Sequence, residues 1–171
     1  NFSISYSSKD RVRSFLKVQD GCDYSCTFCT IPLASGKSRS SSIEDVINTV
    51  NSISEKGFNE IVLSGINLGD YGAGADYNFL ELIKALNNET TIPRIRISSI
   101  EPNLLSSEIV DCLSASSRFM PHLHVPMQSG VDRILSLMQR RYTKSFYFDK
   151  IKELKNKIPD VCIGVDVIAG F

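Results

Sequence analysis

Gln19-Asp20-Gly21-Cys22-Asp23-Tyr24-Ser25-Cys26-Thr27-Phe28-Cys29 packs three cysteines into eight residues, spaced C-x3-C-x2-C with an aromatic just before the third. An odd number of thiols leaves one unpaired, so disulfides are a poor account of them. Thiolates are soft ligands suited to an iron–sulfur cluster. A four-iron cluster held by only three cysteines keeps one iron free of protein, and an open coordination position makes a metal reactive rather than structural. Gly21 allows the sharp turn that a loop wrapping a cluster needs. Two rival readings stand beside this one. Zinc favours paired C-x2-C or C-x4-C modules closed by a fourth ligand, and no second pair is present. Inert core cysteines would sit among apolar neighbours, whereas Asp, Gly, Thr and Ser surround these.

The bulk of the chain sets bounds on the rest. Its 171 residues fit one domain with a sizeable core, and 42% hydrophobic with 22% charged residues is ordinary for a soluble globular protein. No apolar run approaches a membrane span and no charged-then-apolar leader opens the chain, so no membrane partner is expected. Five cysteines without such a leader point to a reducing, cytoplasmic compartment. Lys plus Arg and Asp plus Glu each total 19, giving zero formal charge. Strong stand-alone nucleic-acid binding needs surplus cations, so much of the grip on any RNA must come from elsewhere.

Residues 1–10 are polar and serine-rich and read as a linker or chain edge, leaving 11–171 as the core domain. Arg11 to Val18 is strand-like and runs directly into the cysteine loop, which Lys37 and Arg39 close. Those two cations are either solvated loop charges or contacts to a carboxylate or phosphate. Ser42 caps a helix whose apolar stripe is Ile43, Val46, Ile47, Val50 and Ile53, stopped by Gly57. Ile61-Val62-Leu63 reads as a strand buried on both faces. Phe79 to Leu86 marks a second helix and Arg94 to Ser98 a third strand. Asn103 is the expected cap of a helix striped by Leu104, Leu105, Ile109, Val110 and Leu113. His122 to Val125 is the next strand. Ile134 to Met138 and Phe146 to Ile158 mark two helices, and Val161 to Ala169 a last strand.

Five strands alternating with helical connections predict a parallel α/β sheet, either a full or partial barrel or an open doubly wound sheet. In both, ligands bind beyond the C-terminal strand ends. The candidate rim is therefore Gly21 to Cys29, Ser64 to Asn67, Ser98 to Glu101, Val125 to Gly130 and Asp166 to Gly170. His122, His124, Cys112 and Cys162 are expected to be ordinary packed residues.

The cysteine spacing resembles the C-x3-C-x-aromatic-C signature of the radical S-adenosylmethionine (radical SAM) enzymes. Phe15-Leu16-Lys17-Val18-Gln19-Asp20-Gly21-Cys22 and Thr30-Ile31-Pro32-Leu33-Ala34-Ser35-Gly36-Lys37-Ser38-Arg39-Ser40 narrow the resemblance to the methylthiotransferase branch, nearest to members acting on threonylcarbamoyladenosine in tRNA. Ser98-Ser99-Ile100-Glu101-Pro102, His122 to Gly130 and Met138 to Thr143 resemble the same branch. The resemblance implies a partial parallel (β/α) barrel with about five of its six strands present. Auxiliary-cluster and RNA-binding domains would lie outside this stretch.

It also implies a 4Fe-4S cluster on Cys22, Cys26 and Cys29, with S-adenosylmethionine chelated to the open iron. Reductive cleavage would give a 5′-deoxyadenosyl radical, and a second S-adenosylmethionine would donate the methyl group. Phe28 matches the aromatic lying against the adenine, the alternative being a ring tucked into the core. Gly65 to Asn67 stands where the amino group is met, although Asn67 lacks the common carboxylate. Ser99 or Glu101 is implied at the ribose, with helix capping as the alternative. Gln128 would face cofactor or substrate, and Arg141 would pair with the cofactor carboxylate. The implied partners are tRNA, mainly through the other domains, and an electron donor such as flavodoxin or ferredoxin. Other substrates (another tRNA adenosine or a ribosomal protein) and a non-catalytic metal-binding module are the alternatives.

Overall fold

The computed structural model describes residues 2–7 and 12–171; residues 1 and 8–10 of the expected linker, and Arg11, lie outside the described residues. The cysteine loop leaves the sheet after its first long strand. A short strand β1 (Ser5–Tyr6) pairs antiparallel with β2 (Arg13–Lys17), placing Ser5 opposite Lys17 and Tyr6 opposite Leu16. Part of the stretch read as linker is thus a paired edge strand, with Ile4 packed against the core. Two polar residues carry no alternation for a sequence reading to find.

Between β2 and the first long helix lies a small hairpin absent from the sequence reading. Its strands are β3 (Gln19–Asp20) and β4 (Arg39–Ser40), with Gln19 opposite Ser40, and they enclose the cysteine loop and a one-turn helix α1 (Ile31–Ser35). Helix α2 (Ile43–Glu55) follows, its Ser42 cap accepting from the Asp45 amide. Strand β5 (Glu60–Ser64), helix α3 (Phe79–Glu89), strand β6 (Arg94–Ile97), helix α4 (Ser107–Ala115) and strand β7 (His122–His124) then alternate. Helices α5 (Asp132–Leu137) and α6 (Lys144–Lys157) lead to β8 (Cys162–Gly164).

Strands β2, β5 and β6 form one parallel ladder and β7 with β8 another. Among the described residues, isolated parallel bridges at Ile95–Phe119 and Ser99–His124 join the β6 and β7 segments. The five parallel strands run in chain order, so among the described residues the sheet has no doubly wound switch point, and no pairing there joins β8 back to the first strands. It is an open, barrel-like α/β sheet, in agreement with the partial barrel expected. Helices α2, α3 and α4 bury their predicted stripes against it, and Ile61, Leu63, Ile95 and Leu16 are fully enclosed.

Three expectations are corrected. Asn103 does not cap α4, because a 3-10 turn (Pro102–Leu104) intervenes and Ser106 takes the cap instead. The last strand is three residues rather than the stretch 161–169, leaving Val165 and Val167 exposed. Cys162, expected to be packed, is exposed, whereas Cys112 packs beside the core as expected. Among the described residues no helix is long and apolar enough to cross a membrane.

Helix α6 is fastened to α4 by charge. Lys157 bridges Asp111 of α4 at 2.5 Å and Glu153 of its own helix at 3.1 Å, while Lys150 holds Glu153 at 2.7 Å. Burial alone would raise the Glu153 carboxyl, but hydrogen bonds from Lys150, Ser107 and Lys157 outweigh it and pull it from 4.5 to about 2. A depressed carboxyl pKa contributes stability that is present above the unfolded value and lost as pH falls through the folded one. Urea unfolding of the wild type should therefore weaken from pH 4.5 down to about 2. Glu153→Gln should flatten that part of the profile while lowering stability at neutral pH.

Candidate functional site

The strand ends carry the loops that build one cavity. The buried Gln19 side chain fixes the first of them: its Oε1 accepts from the Asn67 amide at 2.9 Å, and its Nε2 donates to the Gly21 carbonyl at 2.8 Å and to Ser38 Oγ at 3.0 Å. Gly65 lets this amide approach, since a Cβ there would stand 2.8 Å from Gln19 Oε1. Gly21 adopts φ +71°, and a Cβ on it would meet the Lys37 carbonyl at 2.1 Å. Arg39 finishes the closure, donating to Asp20 Oδ2 and the Ser35 carbonyl, each at 2.5 Å. Its charge is thus spent within the loop, while Lys37 lines the cleft outside.

Cys22, Cys26 and Cys29 face a cavity of about 130 Å³ together with Phe28, Ile31, Ile66, Asn67, Glu101, Gln128 and Arg140. Cys22, Cys26 and Cys29 also border a wider outer cleft of about 430 Å³. All five cysteines are free thiols. Burial pushes the Cys22 thiol up, as do charges on Asp70, Cys26 and Cys29, against a hydrogen bond from the Tyr24 amide. Ionising Cys22 is therefore costly without a cation beside it. Among the described residues no three His, Cys, Asp or Glu side chains converge as ligands of a single metal ion. Among the described residues two buried polar atoms at the cavity, Asn67 Oδ1 and Arg140 Nε, have no partner, so its wall fits a polar ligand beside the thiols.

The expected residues divide cleanly. Phe28 lies at the cavity and is 37% exposed, so it is not tucked into the core. Asn67, 3% exposed, gives its amide hydrogen to Asp70 and leaves its oxygen free. Glu101 and Gln128 reach the cavity; the Glu101 side chain makes no helix-cap hydrogen bond. Gln128 holds φ +61°, a left-handed conformation that costs a non-glycine residue roughly 1–2 kcal/mol.

Three residues stand apart from the cavity. Gly65 lines a neighbouring groove. Ser99 binds His124 Nδ1 at 2.6 Å, and His124 Nε2 lies 3.1 Å from Asp166, a chain across the ends of β6, β7 and β8. His124 is therefore a connecting residue rather than a passive core side chain. Arg141 lies over the Tyr24 ring at 3.8 Å and donates to the Asp23 carbonyl, outside the thiol cavity.

The neighbouring Arg140, which sequence reasoning passed over, enters the cavity instead. Adjacent arginines point opposite ways after a helix end, so no pattern in Gln139-Arg140-Arg141 distinguishes them. The signal lies in the backbone, where Gln139 turns at φ +57°.

A thiol loop at the C-terminal rim of an open parallel α/β sheet defines a class, and the chain belongs to the Radical SAM superfamily, whose profile matches residues 16–171. It is 43% identical over 164 residues to the threonylcarbamoyladenosine tRNA methylthiotransferase MtaB of Bacillus subtilis, covering 95% of this chain and 36% of that protein. It is 41% identical over 160 residues to MtaB of Aquifex aeolicus, covering 94% and 39%. It is 36% identical over 171 residues to the tRNA-2-methylthio-N(6)-dimethylallyladenosine synthase of Acetivibrio thermocellus, covering 99% and 36%.

The chain spans little more than a third of these relatives' length. In fold it is similar to the radical S-adenosylmethionine methyltransferase TsrM of Kitasatospora setae, a structure with cobalamin and a [4Fe-4S] cluster (TM-score 0.67, 17% identity, 90% of this chain, 30% of that one). It is likewise similar to the cobalamin-dependent radical enzyme OxsB (TM-score 0.70, 14% identity, 90% and 23%).

The Gln19 side chain is the fastener of the whole arrangement. Replacing it by alanine leaves the buried Asn67 amide and Gly21 carbonyl unpaired, at roughly 1–3 kcal/mol each. Gln19→Ala should lower the urea midpoint and make residues 21–38 the first site of limited proteolysis, read by mass spectrometry.

Proposed function

We propose that this chain is the radical SAM core of a tRNA-modifying methylthiotransferase, with N6-threonylcarbamoyladenosine as the modified nucleoside. The observation that carries the reading is the meeting of Cys22, Cys26 and Cys29 on one wall of a cavity whose other walls hold unpartnered polar atoms. The higher identity to the two threonylcarbamoyladenosine relatives supports that nucleoside over dimethylallyladenosine.

In this reading the three thiolates hold a 4Fe-4S cluster and the adjoining cavity receives S-adenosylmethionine. The bound pair supplies reductive carbon–sulfur cleavage and hydrogen abstraction from the substrate. The protein's share is binding and exclusion of water. Phe28, Ile31 and Ile66 offer apolar surface to a flat purine. Asn67 Oδ1, buried and free, accepts a hydrogen from an ammonium group without needing a full carboxylate charge. Gln128 is held at the rim by its own backbone, its amide donating to the Asp166 carbonyl at 2.9 Å. Ser99 and Arg141 act outside the thiol cavity, Ser99 by holding His124 and Arg141 by covering Tyr24. A neutral chain offers little to polyphosphate, so the grip on tRNA comes mainly from other parts of the protein. The electron comes from a small carrier such as flavodoxin or ferredoxin in the cytoplasm.

Anaerobic reconstitution with iron and sulfide tests the reading. The wild-type chain should take up about four irons and cleave S-adenosylmethionine under dithionite, whereas Cys26→Ala should lose both the iron and the cleavage. Tight uptake of one zinc in place of iron would establish the scaffold alternative. For the nucleoside, the full-length protein should leave tRNA lacking the threonylcarbamoyl group unmodified, as read by nucleoside mass spectrometry.

A further inference from the structure

Arg140 is an arginine in an unusual place. Helix α5 ends by wrapping back on itself: the Gln139 amide donates to the Ser136 carbonyl at 3.0 Å and the Arg140 amide to the Leu135 carbonyl at 2.9 Å. Gln139 sits between them at φ +57°. This turn sends the Arg140 side chain inward, where it is only 3% exposed. Its guanidinium carbon stands 5.2 Å from the centre of the Tyr142 ring. One terminal nitrogen donates to Cys26 Sγ at 3.1 Å and the other to Glu101 Oε2. A cation so thoroughly desolvated requires anionic partners, and removing one leaves an uncompensated charge. Glu101, 15% exposed, is one such partner, and the Cys26 sulfur is placed as the second.

Hydrogen bonds and positive charge directed at a ligating sulfur draw electron density from it. They favour the more negative, reduced state of the cluster it holds, and so raise the reduction potential. In a buried setting the interaction is weakly screened. The three groups form a line from carboxylate to guanidinium to sulfur, so the carboxylate opposes the effect of the cation. We propose that Arg140 is a positioning residue that sets the reduction potential of a cluster held through Cys26, with Glu101 governing how much of its charge the sulfur receives. This rests on the cluster assigned under the proposed function. It concerns the readiness of that cluster to accept an electron, not the identity of the substrate.

The test is a dye-mediated potentiometric titration, followed by electron paramagnetic resonance, of the anaerobically reconstituted chain. Arg140→Gln removes the cation and should shift the midpoint to more negative potential. Glu101→Gln removes the opposing carboxylate and should shift it the other way. Arg140→Lys keeps a charge and a donor and should recover most of the Arg140→Gln shift. Should Arg140→Gln fail to hold iron, the upward shift in Glu101→Gln still decides the matter. Unmoved midpoints, or shifts of the same sign in Arg140→Gln and Glu101→Gln, overturn the proposal while leaving the cluster assignment intact. A wild-type chain that binds no four-iron cluster overturns both, and the iron count tells the two failures apart.

Discussion

A single neutral side chain joins the chemistry-bearing loop to the sheet. The amide of Gln19 is buried at the end of the first long strand, and it reaches both the start of the cysteine loop at Gly21 and the loop after β5 at Asn67. An amide serves here because it presents an acceptor and a donor from one rigid plane, and the site demands one of each. A carboxylate would set an acceptor oxygen against the Gly21 carbonyl oxygen, with no hydrogen to donate. The space for this side chain comes from Gly65, so a glycine on one strand end and a glutamine on the next form a matched pair. The Asp20–Arg39 ion pair and the β3–β4 hairpin reinforce the closure. They are partly exposed and contribute less than the buried hydrogen bonds.

Above that fastening, the cavity is built from opposed tendencies. Three thiols line it, and burial with nearby anions resists the ionisation of Cys22. Beside them stand a buried guanidinium in contact with Cys26 Sγ and its carboxylate, and a buried amide oxygen with no partner among the described residues. Two residues without glycine's freedom, Gln128 and Gln139, hold left-handed backbone near the same cavity. Strained backbone in such a place is retained when the surroundings over-determine it. The Gln128 backbone is held from both sides, by the Asp166 carbonyl and the Ile168 amide. Gln139 is held by the wrapped end of α5. The site is thus shaped before any ligand enters.

Much of this was legible in the residues, for a physical reason. The long helices and central strands carry periodic apolar stripes, and α2, α3 and α4 follow the stripes that Val46, Leu82 and Val110 belong to. The cysteine trio was legible because its spacing is local and its chemistry narrow. What escaped detection is non-local. The β1 and β3–β4 pairings involve two residues each, too few for a period to register. The inward turn of Arg140 is set by a backbone angle at the preceding glutamine, and the role of Asn103 by a tyrosine 79 positions away. Asn103 looked like a cap because its residue type favours one, but its amide is taken by Tyr24 Oη at 2.7 Å. Ser99 and His124 illustrate the same limit, since their link exists only once β6 and β7 lie side by side.

That last link bears on how the sheet behaves as a solid. Continuous ladders run through β2, β5 and β6 and again through β7 and β8, but between β6 and β7 the backbone is stitched at isolated points. At the ligand end the Ile100 amide donates to the His124 carbonyl at 3.1 Å, and the side chains of Ser99, His124 and Asp166 add a second link beside it. The parallel sheet is therefore two laddered panels joined by a thinner seam, with one apolar core running beneath both. The cysteine loop rides on the larger panel, while Gln128 and the chain that leads to Arg140 follow from the smaller. The cavity spans that seam, and Thr27 ties its two sides together, its Oγ1 donating to the Leu137 carbonyl at 3.0 Å while Arg140 donates to Cys26 Sγ.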